Sequence, residues 1–334
     1  MTKRERVINA LLHKESDAIP YNITFTKPMA EKMAAHFDDV NFADKMNNHF
    51  YSSSLWNFTG IKKDIYRDEA GVLWDQTLDK DIGIVCNRLV PSVENRIYRL
   101  PGPDMDHVRA GLSDLEEKKG DKFGLFDIGL TLYERSWTLC GVENLLVSMI
   151  EAPEAAHTLF EEITQYLSDV LDVVLECSHV DGVLFGDDWG TQRGLIMSKK
   201  LWQEFLMPRF RFLYGKVKSS GKFVLHHSCG YIEDIFPDLI DIGLDCYQTF
   251  QPEVYDIERV KGKYGRDLSF WGGISTQRLL PYASPEEVAE KTAYTMQVMG
   301  KGGGYIAAPT HDVPGDVPVE NLLAMWNVFE RQTS

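Results

Sequence analysis

His227, Ser228 and Cys229 form a His-x-Cys unit at the end of the strand-like run KFVLHHS. On an extended backbone, residues two apart face the same side. An imidazole and a thiolate therefore reach for one point, a donor pair suited to a borderline-soft cation such as zinc. Two ligands do not complete a site. His311, which follows GGGYIAAPT, is a candidate third ligand that leaves a fourth tetrahedral position open for substrate. The competing reading makes His227 a hydrogen-bonded histidine of the scaffold and Cys229 a small buried apolar residue.

Asp187 and Asp188 follow the short run GVLFG. One of them could act as a catalytic acid or base, or as a metal or supporting ligand, because adjacent side chains point in different directions. The alternative is that both serve the turn before Trp189 and Gly190, where Asp is common. Trp189, Tyr247, Phe250 and Trp271 could line a pocket for a flat or apolar substrate, or pack the core. Gln248 and Gln251 are the polar residues beside them. Arg135, after KFGLFDIG, could meet a substrate carboxylate, against the plainer reading of an exposed helical ion pair. The run Gly302, Gly303, Gly304 lacks the Lys-Ser/Thr of a phosphate loop and the spacing of a dinucleotide motif, so it is expected to be a tight turn without a ligand.

All these residues follow runs that read as strands, and the elements that position them alternate. Leu159, Ile163, Leu167, Val170 and Val174 repeat at helical spacing before GVLFG. A helix from Ser198 to Gly221, kinked at Pro208, precedes KFVLHHS. YIEDIFPDLIDIG and LDCYQTF, then DIERVKGKYG and LSFWGG, repeat helix then strand. A helix capped by Ser284, with Pro285 first and Glu287 three residues on, precedes GGGYIAAPT, and a closing helix starts near Pro318. A lead-in helix ending near Ser16 and a strand over Ile19–Ile23 open the chain. This rhythm without a dinucleotide fingerprint predicts an α/β fold of the (β/α)8 TIM-barrel type, with catalytic residues at the C-terminal strand ends. The reading is one domain over 1–334, with a strand-rich elaboration at about 50–110 that contains GVLWD and IGIVC.

At 334 residues and 44% hydrophobic content the chain can bury a core of that size. A formal charge of −15, spread along the sequence, argues against nucleic acid as a partner. Five widely spaced cysteines do not form a disulfide framework, and a reducing cytoplasm is expected. The opening residues lack the apolar core of a signal peptide, and no stretch of about 18 residues is uniformly apolar, so no membrane partner is expected.

The segments RERVINALLHKESDAIP, GVLFGDDWGTQRGLIMS, KFVLHHSCGYIEDIFPDLIDIGLD, FWGGIST and GGGYIAAPTHDVPGDVPVENLLAM together resemble the uroporphyrinogen decarboxylase superfamily, and within it the corrinoid-linked zinc methyltransferases. The decarboxylases hold their tetrapyrrole carboxylates with an arginine-rich segment near the N-terminus. Tyr21 to Phe37 contains no arginine here, which demotes porphyrin decarboxylation. The resemblance assigns His227 and Cys229 as zinc ligands. The family's third ligand is typically a cysteine, and this sequence has His311 in that region.

The resemblance implies methyl exchange between a small-molecule donor or acceptor and a corrinoid carried by a separate partner protein, since no Asp-x-His-x-x-Gly is present to bind cobalamin. One thiolate and two neutral imidazoles leave zinc net positive, which favours an oxygen leaving group and hence O-demethylation of a methoxylated compound. The other readings are a methylcorrinoid-to-thiol methyltransferase, a metal-independent decarboxylase or lyase using Asp187 or Asp188, and a non-catalytic binder of the corrinoid partner.

Overall fold

A computed structural model describes residues 1–333. Its parallel strands, each followed by helix, are the repeating unit of a (β/α)8 barrel, the fold class expected from the sequence. Seven strands share one sheet, while Thr59–Lys62, Ile65–Arg67, Leu73–Asp75 and Ile84–Val85 form a separate antiparallel sheet within the stretch expected to be an elaboration. The chain divides into two compact units, one comprising Met1–Tyr51, Lys119–Phe123 and the chain from Asp245 onward, the other Ser52–Lys118 and Gly124–Leu244.

In the first unit the strands Cys246–Phe250, Ser269–Ile274 and Tyr305–Pro309 pair in parallel, with Tyr247 opposite Phe270 and Trp271 opposite Ile306. Their near-continuous apolar character is that of strands covered on both faces. The expected strand over Ile19–Ile23 contracts to one parallel bridge, Tyr21 to Ala307. Helices Ile257–Tyr264, Pro285–Gly300 and Val319–Glu330 follow the strands. The first two start where Asp256 and Ser284 accept hydrogen bonds from the N–H groups of Arg259 and Glu287. Gly302, Gly303 and Gly304 all have positive φ, and their N–H groups bond to Glu15, Gly300 and Ala10, so the triplet is a turn with no N–H left for an anion.

In the second unit Phe123–Leu130, Gly182–Gly186 and Phe223–His227 pair in parallel, with Leu184 opposite Asp127 on one side and Leu225 on the other. The helix Pro153–Glu176 buries Leu159, Ile163, Leu167, Val170 and Val174, the stripe read from the sequence. Where one helix kinked at Pro208 was expected there are two, Lys199–Phe205 and Met207–Ser219, because proline removes a hydrogen bond and crowds the preceding turn. The helix expected over YIEDIFPDLIDIG is only Phe236–Asp241 after a short 3-10 turn, with Pro237 in its first turn. Among the described residues no helix is long and apolar enough to cross a membrane.

Candidate active site

The C-terminal ends of Gly182–Gly186 and Phe223–His227 lie side by side, with His227 in register with Gly186. Beyond them the two turns press backbone on backbone. A Cβ on Gly190 would come within 2.5 Å of the Cys229 carbonyl oxygen, and one on Gly230 within 2.6 Å of the Gly190 carbonyl carbon. Thr191 and Tyr231 form an antiparallel bridge beside this contact. The two glycines bring the GDDWG and HHSCG turns close enough for their side chains to meet.

His227 Nε2 lies 3.5 Å from Cys229 Sγ, so the His-x-Cys unit does converge as an extended segment requires. Asp188 completes the group: Oδ1 accepts a hydrogen bond of 2.7 Å from the Cys229 N–H and stands 3.6 Å from His227 Nε2. Burial alone would lower the His227 pKa, but the Cys229 thiolate, Asp188 and Glu134 raise it to about 10. The surroundings are thus built to hold positive charge. Glu134, partly buried, is displaced well above the ordinary carboxyl range by burial and by the charges of Asp188 and Asp187.

Asp187 has a different job. It is fully buried and accepts hydrogen bonds from the N–H groups of Tyr133 at 2.9 Å and Glu134 at 2.6 Å, and from the Trp189 indole at 2.9 Å. The helix Leu132–Cys140 has Thr131 at its cap position, but the Thr131 hydroxyl bonds to the Gly186 carbonyl instead. Asp187 therefore caps that helix from the neighbouring strand, satisfying N–H groups of its first turn with a negative charge. Burial pushes its carboxyl up to about 7 against the pull of these donors.

The aromatic residues proposed from sequence are mostly core. Trp189 is buried, stacks on His226 with ring centroids 4.2 Å apart, and packs against Trp202 and Phe210. His226, bonded to the Tyr214 hydroxyl, is held neutral by burial, its pKa lowered to about 3. Tyr247 is buried with its hydroxyl 3.2 Å from that of Tyr255, and Trp271 stacks on Phe50 at 4.5 Å. Gln248, opposite Trp271, is partly buried. Arg135 is not an exposed helical ion pair: it is buried, and its guanidinium is taken up by Asp68 and Glu69.

His311 stands two residues beyond Tyr305–Pro309 in the first unit. It is exposed, and Nδ1 accepts the Asp312 N–H at 2.9 Å. By chemistry, His227, Cys229 and His311 are residues able to hold a metal ion. Sequence reasoning passed over Glu134, although its place four residues beyond the end of a parallel strand was a signal of the same kind as the others.

Residues 137–332 match the uroporphyrinogen decarboxylase (URO-D) family. Over 186 residues the chain is 26% identical to a methylated-thiol--coenzyme M methyltransferase of Methanosarcina mazei, covering 56% of this chain and 47% of that protein. It thus spans about half the length of that relative. It is 21% identical over 264 residues to a uroporphyrinogen decarboxylase of Magnetococcus marinus, covering 73% and 69% of the two. A solved structure, a methyltransferase from Methanosarcina mazei, superposes over the full length of both chains with a TM-score of 0.76 at 14% identity, which shows a shared fold. The chain belongs to the uroporphyrinogen decarboxylase family.

Proposed function

We propose that the chain is a zinc-dependent methyltransferase that exchanges a methyl group between a small substrate and a corrinoid carried by a separate protein. The observation that carries this is the imidazole–thiolate pair His227–Cys229, held by Asp188 in anionic surroundings. The donor types fit zinc, which takes thiolate sulfur and imidazole nitrogen and at catalytic sites has three protein ligands with a fourth position free. Support for His311 as third ligand is its chemistry: an exposed imidazole on the turn after Tyr305–Pro309 is a donor of the kind that completes a zinc set. The likeness to a thiol methyltransferase supports methyl transfer as the reaction class.

Zinc bound there would supply a Lewis acid for the heteroatom that carries or receives the methyl group. The protein's own residues do the rest. Asp188 fixes the Cys229 backbone, Asp187 holds the first turn that presents Glu134, and Glu134, whose carboxyl burial and the neighbouring Asp charges push upward, is the candidate for exchanging a proton with a departing oxygen. With one thiolate, not two, this donor set would leave a bound divalent ion net positive. Such a charge would favour an oxygen leaving group, and hence O-demethylation of a methoxylated compound.

The test is zinc content by elemental analysis, together with methyl transfer between a methoxyarene panel and reduced corrinoid, and between methylcorrinoid and a thiol panel. About one zinc per chain is expected, with demethylation by the wild type. His311→Cys should keep zinc and lose demethylation. Zinc far below stoichiometric after reconstitution, or no methyl transfer to or from any corrinoid, would sink the proposal. A His311→Cys variant that still demethylates would sink the charge argument alone.

A further inference from the structure

One aromatic cluster of the second unit remains unexplained by the core. Gly129, at the bulged end of Phe123–Leu130, has φ +69, and a Cβ there would fall 1.9 Å from Trp56 Nε1 and 2.5 Å from its Cε2. The indole of Trp56 is thus laid against the bare backbone. Phe58 lies 5.4 Å from it, and both rings pack edge-on to Trp74, at 6.4 and 6.1 Å. Trp74 is buried and tied by its indole N–H to Asp68. Trp56 and Phe58 are only partly buried, so their support is fixed while part of their surface remains open.

This cluster is joined to the candidate active site by short steps. Leu130, next to Gly129, is in register with Gly186, and Gly186 with His227. Arg135 adjoins Glu134 and binds Asp68 and Glu69. Glu69 adds a second, independent observation. Its side chain is 9% exposed, one carboxylate oxygen pairs with Arg135, and the other has no hydrogen-bond partner. Buried acceptors are nearly always satisfied, and an unpaired one is a point where a water or a ligand can supply the missing donor.

We infer that Trp56, Phe58 and Glu69 form the binding site for the body of the substrate, a flat aromatic ring bearing a hydrogen-bond donor such as a phenolic hydroxyl. The ring stacks on the indole and phenyl faces, and the hydroxyl donates to the spare oxygen of Glu69. The inference rests on the methyl-transfer reading for its choice of substrate, but the binding can be measured without catalysis. It also replaces Trp189, Tyr247 and Trp271 as the aromatic wall with rings that have open surface.

The test is calorimetric titration of the full chain with guaiacol, anisole and 2-methoxycyclohexanol, alongside zinc analysis. Guaiacol should bind best, with the saturated analogue about 10-fold weaker or more. Trp56→Ala should weaken guaiacol binding by about 10-fold and Phe58→Leu by a few-fold, both without change in zinc per chain. Glu69→Gln, which presents an amide donor in place of the acceptor, should abolish the preference for guaiacol over anisole. Phe58→Leu keeps the test open should Trp56→Ala not fold. Wild-type protein that ignores guaiacol, or binds it no better than the saturated analogue, overturns the inference, as do Trp56 and Phe58 variants that bind it unchanged. Guaiacol binding lost on shelf substitution in a protein that transfers no methyl group supports the shelf while the methyl-transfer reading fails. Demethylation of saturated ethers without guaiacol binding does the reverse.

Discussion

In the second unit, the turns after Gly182–Gly186 and Phe223–His227 carry two carboxylates, an imidazole and a thiol. In the first, the hydroxyls on the turns after Ser269–Ile274 and Tyr305–Pro309 bond to one another and to the chain. The Thr276 and Thr310 hydroxyls are 2.9 Å apart. Ser275 donates to Glu253 while accepting from the N–H groups of Arg278 and Leu279. The Ser275 hydroxyl is saturated by local structure; Cys229 and His227 meet each other and one shared carboxylate. Position at a strand end is therefore a weak guide to chemistry, and the better one is whether a polar group is consumed by the fold. Asp187 and Asp188 show the same contrast at neighbouring positions.

The comparison breaks first, and most severely, at Cys229. Cys229→Ala should reduce zinc affinity by more than the roughly 10–100-fold that a supporting residue is worth, and leave the thermal unfolding temperature of metal-free protein nearly unchanged. A variant with full zinc occupancy would contradict the ligand assignment. The paired acids separate next. Asp187→Asn should destabilise the chain by about 3 kcal/mol in denaturant titrations, since an amide offers one acceptor oxygen to three N–H donors and turns its own NH2 against them. Asp188→Asn should cost about 1 kcal/mol or less of stability but weaken zinc binding by about 10–100-fold. Interchanged outcomes would reverse the roles given to the two residues.

A smaller effect concerns two buried imidazoles, one in each unit. Burial lowers His226 to about 3, and burial with the charges of Arg6 and Lys3 lowers His49 to about 4. Both values lie below the ordinary histidine range, so the unfolded chain takes up protons that the folded chain refuses. Their contribution to stability is present above about pH 6.5 and lost as pH falls through about 4 for His49 and about 3 for His226. Nitrogen chemical shifts should report both rings neutral at pH 5. Protonated rings at that pH would contradict their burial.

The helix–strand rhythm was legible because each buried stripe, as in Pro153–Glu176, repeats at 3.6 residues and each strand is a short apolar run. The His-x-Cys pair was legible because side-chain direction on an extended segment follows from spacing alone. What sequence could not separate was Asp187 from Asp188, because the hydrogen bonds that saturate Asp187 come from Tyr133 and Glu134, more than 50 positions away. Trp189 was misplaced for a related reason: a strand-end aromatic can turn inward to His226 as readily as outward. Trp56 and Phe58 escaped notice because they lie in no helix or strand and owe their place to the missing side chain of Gly129.

The backbone seam at Gly190 and Gly230 also bears on how such a site can change through descent. Because main chain, not side chain, fixes the distance between the two turns, the residues carried on them are free to be exchanged while their anchorage stays put. A lineage could trade one donor atom for another, and with it the element or the charge favoured, by single codon changes that leave the scaffold alone. Lengthening either turn, or giving either glycine a methyl group, would instead prise the seam apart and remove every donor on it at once.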